Sequence, residues 1–352
     1  MFVIMNPLAT RKEIEDSCLK IENLGLSAHL VPRDGTTCIS VTGDLGPDHI
    51  GKIEVLAGVS RVIPISQPYK LVSREVQQNN TIVRIGSVSF GSDEIVIIGG
   101  PCAVESEEST LRIASRVAES GAQMLRGGAY KPRTSPYSFQ GLEERGLEIL
   151  AKARELTGLP IVTEVVTTET VELVAQYADM LQVGTRNMQN FMLLRELAQQ
   201  GKPVLLKRGM GATLDETLMS AEYLLFHGCS NVVLCERGIR TFNSHARNTL
   251  DVSIIPAIKK LSHLPIIVDP SHSSGNRSLV LPHALAGIGA GCDGLLIDVH
   301  DRPEEALCDG PQALLPGEFK NLLKICDGVC SAIGRRLGRS IHEGSRLSQA
   351  AR

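Results

Sequence analysis

The first 70 residues alternate apolar and polar positions in a rhythm of their own. FVIMNP, LSAHLVPR, TTCISVTG and RVIPIS read as strands, while TRKEIEDSCLKIENLG and PDHIGKIEVLAG read as helices. In the first helix Ile14, Cys18, Ile21 and Leu24 recur at three- and four-residue spacing, and Gly25 follows as a C-cap. The order strand, helix, strand, strand, helix, strand predicts a ferredoxin-like (βαββαβ) α+β domain over residues 1–70, an antiparallel sheet with both helices on one face. The polar QPYKLVSREVQQNN and the short alternating TIVRIGSVSFGSDE predict a linker and a β-hairpin over 71–92.

From residue 93 the pattern changes. Apolar runs end in charged or Gly-rich turns: IVIIGGPC, MLRGGAYKPR, IVTEV, MLQVGTRN, VLLKRG, NVVLCERG, IIVDPSH and GLLIDVH. Segments of helical period such as ESTLRIASRVAESG and ETLMSAEYLLFHG lie between them. Strands buried on both faces do not alternate, so eight such runs interleaved with helices predict a (β/α)₈ TIM barrel over 93–340, with the 71–92 hairpin at its base. A doubly wound open sheet would have fewer strands and a GxGxxG turn after the first, where this chain has GGPCAVES. Residues 341–352 read as a polar, flexible tail.

Composition narrows the function. The 36 Lys+Arg nearly balance 39 Asp+Glu, with no long basic run and 3% aromatics. That argues against nucleic acid or an anionic membrane as a partner. No run approaches the roughly 20 apolar residues of a membrane span, and the start lacks a signal-peptide pattern, so a cytoplasmic location is expected. Nine scattered cysteines fit reduced thiols. The GMGA run at Gly209 to Ala212 is no Walker loop and no GxSxG elbow is present, which removes kinase and hydrolase readings.

Chemistry in a barrel sits at the C-terminal strand ends. In chain order these carry Cys102; Arg126, Lys131 and Arg133; Glu164; Arg186; Lys207 and Arg208; Glu236 and Arg237; Asp269 and His272; Asp298 and His300. So many cations on one rim repel one another unless a multiply anionic, phosphorylated substrate resolves them. The plainer alternative for any single side chain is pairing with an acid on the same rim. Cys102, His272, Asp298 and Asp309 form a second set, a thiol, an imidazole and two carboxylates, suited to one divalent ion such as Mn, Fe, Co or Zn. Taken singly, Cys102 reads equally as a core residue and His272 as a hydrogen-bonding one.

The strings GGPCAVES, LRGGAYKPRTSPYSFQG, LLKRG, LCERGIRTF, RNTLD and VDPSHSSG together resemble the 3-deoxy-D-arabino-heptulosonate 7-phosphate (DAHP) synthase family, in the class with an N-terminal ferredoxin-like domain. The likeness spans about residues 70 to 340. It implies a metal-dependent transferase of the shikimate pathway, the first step of aromatic amino acid biosynthesis, joining phosphoenolpyruvate to erythrose 4-phosphate. The resemblance places phosphoenolpyruvate on Arg126, Lys131, Lys207 and Arg237, with Arg186 on its phosphate, and the phosphate of erythrose 4-phosphate on Arg133, Thr134 and Ser135. It assigns the metal to Cys102, His272, Asp298 and Asp309, and sets Glu164 beside the attacking water. Lys131, Glu164, Cys102 and His272 are the catalytic candidates. The KPRTS loop separates this family from the related 3-deoxy-D-manno-octulosonate 8-phosphate synthases, which take arabinose 5-phosphate and carry an Asn-containing loop there. One departure stands out: Asp298 occupies a position where the family carries Glu.

By the same resemblance the N-terminal domain is a regulatory lid for an aromatic amino acid, tyrosine or phenylalanine, with His29 as the residue facing the effector. Val31 offers no hydroxyl to pair with that of a tyrosine. Lids of this kind work across subunits, which implies a homo-oligomer, a tetramer or dimer. A third reading is a non-catalytic amino-acid-sensing scaffold, supported by the Asp298 departure alone. Cys308, beside Asp309, reads as a bystander thiol.

Overall fold

The computed structural model describes residues 1–33, 36–65 and 67–338. The polar tail expected over 341–352 lies outside the described residues. The chain divides into two compact units between Asn79 and Asn80, so residues 71–79 belong with the first unit.

That unit runs β1 (Phe2–Met5), α1 (Arg11–Glu22), β2 (Ser27–Arg33), β3 (Thr36–Thr42), α2 (Pro47–Glu54) and β4 (Val59–Ile63). Its four strands pair antiparallel in the order β2-β3-β1-β4, the ferredoxin-like arrangement. A reciprocal cap starts α1: the Thr10 hydroxyl accepts from the Glu13 amide at 3.3 Å, and the Glu13 carboxylate accepts from the Thr10 amide at 2.7 Å. The helix stops at Glu22, before Leu24, and Gly25 makes the following left-handed turn at φ +80°. Ile14, Cys18 and Ile21 of α1 and Ile50 and Ile53 of α2 meet the same apolar face of the sheet. His29 is exposed on edge strand β2, opposite Ser40.

The second unit opens with a hairpin, β5 (Val83–Ile85) and β6 (Val88–Phe90). Eight parallel strands follow: β7 (Glu94–Gly100), β8 (Met124–Arg126), β9 (Ile161–Val165), β10 (Met180–Val183), β11 (Val204–Lys207), β12 (Val232–Glu236), β13 (Ile266–Val268) and β14 (Gly294–Asp298). Pairing of β14 with β7, from Gly294 opposite Val96 to Asp298 opposite Gly100, closes the barrel. Val83, Ile85, Val88 and Phe90 of the hairpin join inward-facing Ile98, Met124, Val162, Leu205 and Leu296 in one buried cluster, so the hairpin plugs one end. Among the described residues no helix is long and apolar enough to cross a membrane.

Candidate active site

At the other end the strands deliver charged side chains that are largely buried. Arg126, Lys131, Glu164, Lys207, Arg237, Asp269 and Asp298 are all buried. One cavity is lined by Arg126, Lys131, Arg133, Thr134, Ser135, Glu164, Arg186, Lys207, Arg237, His272 and Asp309. Cys102 and Asp298 do not line it, and both are buried. His29 lies in the other unit.

Close backbone approach makes the room. A Cβ on Gly100, which has φ +150°, would sit 2.1 Å from the Arg126 carbonyl, and one on Gly184 would sit 1.9 Å from Glu164 Oε1. Glycine at both positions lets Arg126 and Glu164 take their places. Glu164 Oε2 accepts from Gln182 Nε2 at 3.3 Å, and Gln182 lies one strand over on β10.

Alternation along a strand decides which of two neighbouring charges enters the cavity. Lys207 does, and Arg208 does not: Arg208 donates to Glu236 and Asp251, both at 2.9 Å. Glu236 is thereby taken up with Arg208, while the next residue, Arg237, lines the cavity. Sequence placed Arg208 in the cation ring; here it belongs to an ion triad beside it, with buried Glu236 and half-buried Asp251.

Two of the cavity cations are balanced by buried carboxylates. Lys207 Nζ donates to Asp269 Oδ2 at 2.6 Å, and Arg126 donates to Asp298 Oδ1. Arg126 Nε is buried with no hydrogen-bond partner among the described residues. Lys131 Nζ donates to the Cys102 carbonyl at 3.1 Å and to Cys102 Sγ at 3.2 Å. Burial opposes its charge, yet the neighbouring sulfurs of Cys102 and Cys308 outweigh burial and hold its pKa above the ordinary lysine value. Burial lowers the Arg237 pKa, against the pull of Asp269.

The thiol, imidazole and carboxylates also converge. Asp269 caps the short helix Pro270–Ser274 by accepting from the His272 amide at 2.8 Å. It also stands 2.9 Å from His272 Nδ1, out of line for a hydrogen bond. The opposite ring edge faces outward to two donors: Nε2 lies 3.8 Å from Cys102 Sγ and 3.5 Å from Asp309 Oδ2, and Cys102 Sγ lies 3.2 Å from that same oxygen. Donors around a tetrahedral ion with bonds of ~2.0–2.3 Å stand roughly 3.3–3.8 Å apart, so these three atoms fit one divalent ion of borderline softness. Asp298 belongs to the same neighbourhood, but it faces the Nδ1 edge at 3.5 Å, and its two oxygens already take Arg126 and, at 2.6 Å, Gln312.

The charges here perturb one another strongly. Burial disfavours the His272 cation, yet Asp269 and then Asp298 outweigh it and push the pKa up to about 10. Burial alone would raise the Asp309 carboxyl, but the hydrogen bond and charge of His272, with Arg247, hold it far below the usual carboxylate range. The Cys102 thiol is pushed up, first by its contact with Cys308, 3.6 Å away, and then by burial.

Three residues of the site were given no role by the sequence. Arg247 lines the cavity and donates to Asp309 Oδ1 at 3.1 Å; its string, RNTLD, is distinctive but lies off any strand end. Gln182 sits inside an apolar run. Cys308 is no bystander: it touches Cys102 and accepts from Arg133 at 2.7 Å.

Known proteins show the same combination. The DAHP synthetase I family profile matches residues 72–334, and the DAHP synthase ferredoxin-like domain matches residues 1–67. A phospho-2-dehydro-3-deoxyheptonate aldolase of Thermotoga maritima is 45% identical over 95% of this chain and 99% of its own length. The crystal structure of that DAHP synthase superposes with a TM-score of 0.77 at 44% identity, covering 96% of this chain and 99% of the other. A 2-dehydro-3-deoxyphosphooctonate aldolase of Geotalea uraniireducens is more distant, 31% identical over 69% of this chain and 95% of its own. With both of its units matched and the barrel's charged rim in place, this chain belongs to the DAHP synthetase I family.

Proposed function

We propose that the chain condenses phosphoenolpyruvate with erythrose 4-phosphate and water, giving 3-deoxy-D-arabino-heptulosonate 7-phosphate and phosphate. The observation that carries this reading is the cavity itself: cations from strand after strand line it, and His272 and Asp309 of the Cys102–His272–Asp309 donor set line it too.

In this reading Arg126, Lys131, Lys207 and Arg237 hold phosphoenolpyruvate, with Arg186 on its phosphate, while Arg133, Thr134 and Ser135 hold the phosphate of the aldehyde. Two anions fixed in contact make the bond-forming step effectively unimolecular. A divalent ion held by Cys102, His272 and Asp309, with Asp298 behind, supplies a Lewis acid for the aldehyde oxygen when bound. C3 of phosphoenolpyruvate attacks the aldehyde carbon, and positive charge develops at C2. Glu164, held by Gln182, orients water onto C2. The resulting phosphohemiketal collapses with cleavage of its C2–O bond, and the Lys/Arg set stabilises the departing phosphate.

The first unit is read as a regulatory domain for an aromatic amino acid, tyrosine or phenylalanine, with His29 exposed toward solvent to meet it and a homo-oligomer, tetramer or dimer, as the working form. The octulosonate reading rests on relatives of about 31% identity covering the barrel region. The KPRTS loop, whose Arg133, Thr134 and Ser135 line the cavity, favours the four-carbon aldehyde. Phosphate release with erythrose 4-phosphate or arabinose 5-phosphate as the only aldehyde decides between them: release with the former supports this proposal, and release with arabinose 5-phosphate alone overturns it.

A further inference from the structure

The ligand residue Asp309 sits in a left-handed backbone state, in a loop that meets the segment following Cys102. Its φ of +53° lies in the left-handed region, which a non-glycine residue keeps only where the surroundings impose it. Gly310 follows, and a Cβ there would sit 2.1 Å from the Pro303 carbonyl, so the loop folds tightly back on itself. Before Asp309 the Glu305 amide donates to the Arg302 carbonyl at 3.0 Å and the Ala306 amide to the Pro303 carbonyl at 3.4 Å; after it the Gln312 amide donates to the Asp309 carbonyl at 3.2 Å.

Glu105 reaches this loop from the other side of the donor set. Its backbone is fixed on both sides. Before it, Val104 N–H donates to the Gly128 carbonyl at 2.9 Å; after it, Ser106 caps helix Glu107–Ser120. Its side chain is about one-eighth exposed, and the two carboxylate oxygens face two points of the loop. Oε1 accepts from the Leu307 amide at 2.8 Å, two residues before Asp309. Oε2 stands 3.5 Å from Nε2 of buried His300. His300 Nδ1 accepts from the Arg302 amide at 3.0 Å, while its Nε2 makes no hydrogen bond among the described residues, so Glu105 lies near that ring without bonding it. Arg112, on the helix that follows Glu105, binds Asp301 at the start of the loop.

We propose that Glu105 is a positioning residue for the ion site. Standing three positions after Cys102, it ties the segment that supplies the thiol to the loop that supplies Asp309, and holds Asp309 Oδ2 beside Cys102 and His272. Glu105 does not line the cavity and touches none of the three donor atoms, so its effect passes through the Leu307 amide, two residues before Asp309. Outer-shell partners of metal ligands typically govern affinity by 10–100-fold.

The inference rests on the metal-dependent reading above, and direct titration separates the two. Metal-stripped full-length protein is titrated with Zn²⁺ or Mn²⁺ against a chromophoric chelator, as wild type, Glu105→Ala, Glu105→Gln and Glu305→Ala. Glu305→Ala removes an exposed carboxylate of the same loop. The expected result is a 10–100-fold weaker metal Kd for Glu105→Ala with KM for phosphoenolpyruvate unchanged. Glu105→Gln falls between that and wild type, because its amide oxygen still accepts from Leu307. Glu305→Ala matches wild type. If Glu105→Ala does not fold, Glu105→Gln alone carries the test through its intermediate Kd. A Glu105→Ala protein whose melting temperature falls while its metal Kd stays within twofold of wild type has lost only fold stability, and that outcome overturns the inference. Wild-type protein that binds no metal overturns the underlying reading instead.

Discussion

The two ends of the barrel are both lined by buried side chains and are chemically opposite. At one end the hairpin inserts Val83, Ile85, Val88 and Phe90 into an interior layer of Ile98, Met124, Val162 and Leu205, none more than 6% exposed. At the other end Arg126, Lys131, Glu164, Lys207, Arg237, Asp269 and Asp298 are no more than 9% exposed. Burying apolar surface stabilises by roughly 25 cal/mol per Å². Burying charge costs several kcal/mol per ion before pairing recovers part of it. The floor therefore holds the fold together, and the rim is a stability cost retained for what it binds.

That division can be broken by substitution at each end. Phe90 is fully buried in the floor cluster. Phe90→Ala should lower the unfolding free energy by about 3–5 kcal/mol in urea titration, while turnover per folded molecule is unchanged. A fall in turnover without a fall in stability would place the hairpin in the chemistry. Lys131→Ala should do the reverse. Phosphate release should fall by about 10²–10³-fold, as for loss of one charge-stabilising donor, with a melting temperature at or above that of wild type because a buried ammonium has gone.

The ion site yields a pH prediction. In the metal-free chain the His272 pKa is raised from the usual 6.5 to about 10. The stability this charge contributes is complete below pH 6.5 and is lost as pH climbs from 6.5 through 10. Metal-free His272→Gln protein should lack that part of the alkaline loss in pH-dependent denaturation. Metal must displace the ring proton and that of the Cys102 thiol, so binding near pH 8 should release about two protons per ion. Calorimetry in buffers of different ionisation enthalpy counts them. Asp298→Glu carries the smallest expected effect. The oxygens of Asp298 are taken by Arg126 and Gln312 as well as facing His272, so restoring the longer side chain should shift metal affinity by less than about tenfold. A larger shift would make Asp298 a principal ligand.

How much of the fold and the site is legible in the sequence depends on which periodicity carries it. Apolar runs that stop at a charge expose the strand ends, so patterning alone gathers Arg126, Glu164, Lys207 and Asp298 on one rim. The same alternation distinguishes Lys207 from Arg208 and Glu236 from Arg237, but only once the register is known, because a shift of one residue exchanges the faces. Arg247 and the Glu105 clamp lie on loops, where no period marks a direction. Cys308 also lies on a loop, and no period marks that it meets Cys102, 206 positions away, at 3.6 Å. In the first unit the strand and helix order follows from patterning, while the end of α1 is set by the turn at Gly25 rather than by the apolar stripe reaching Leu24.

The central claim is that an ion on Cys102, His272 and Asp309 works together with the cation rim. Metal-stripped protein titrated with Mn²⁺, with phosphate release from phosphoenolpyruvate and erythrose 4-phosphate followed at each addition, tests it most directly. The account predicts no release without metal, a linear rise that saturates at one ion per chain, and no recovery at any stoichiometric addition in Cys102→Ala. Full release from the stripped protein, or wild-type release in Cys102→Ala, would contradict it.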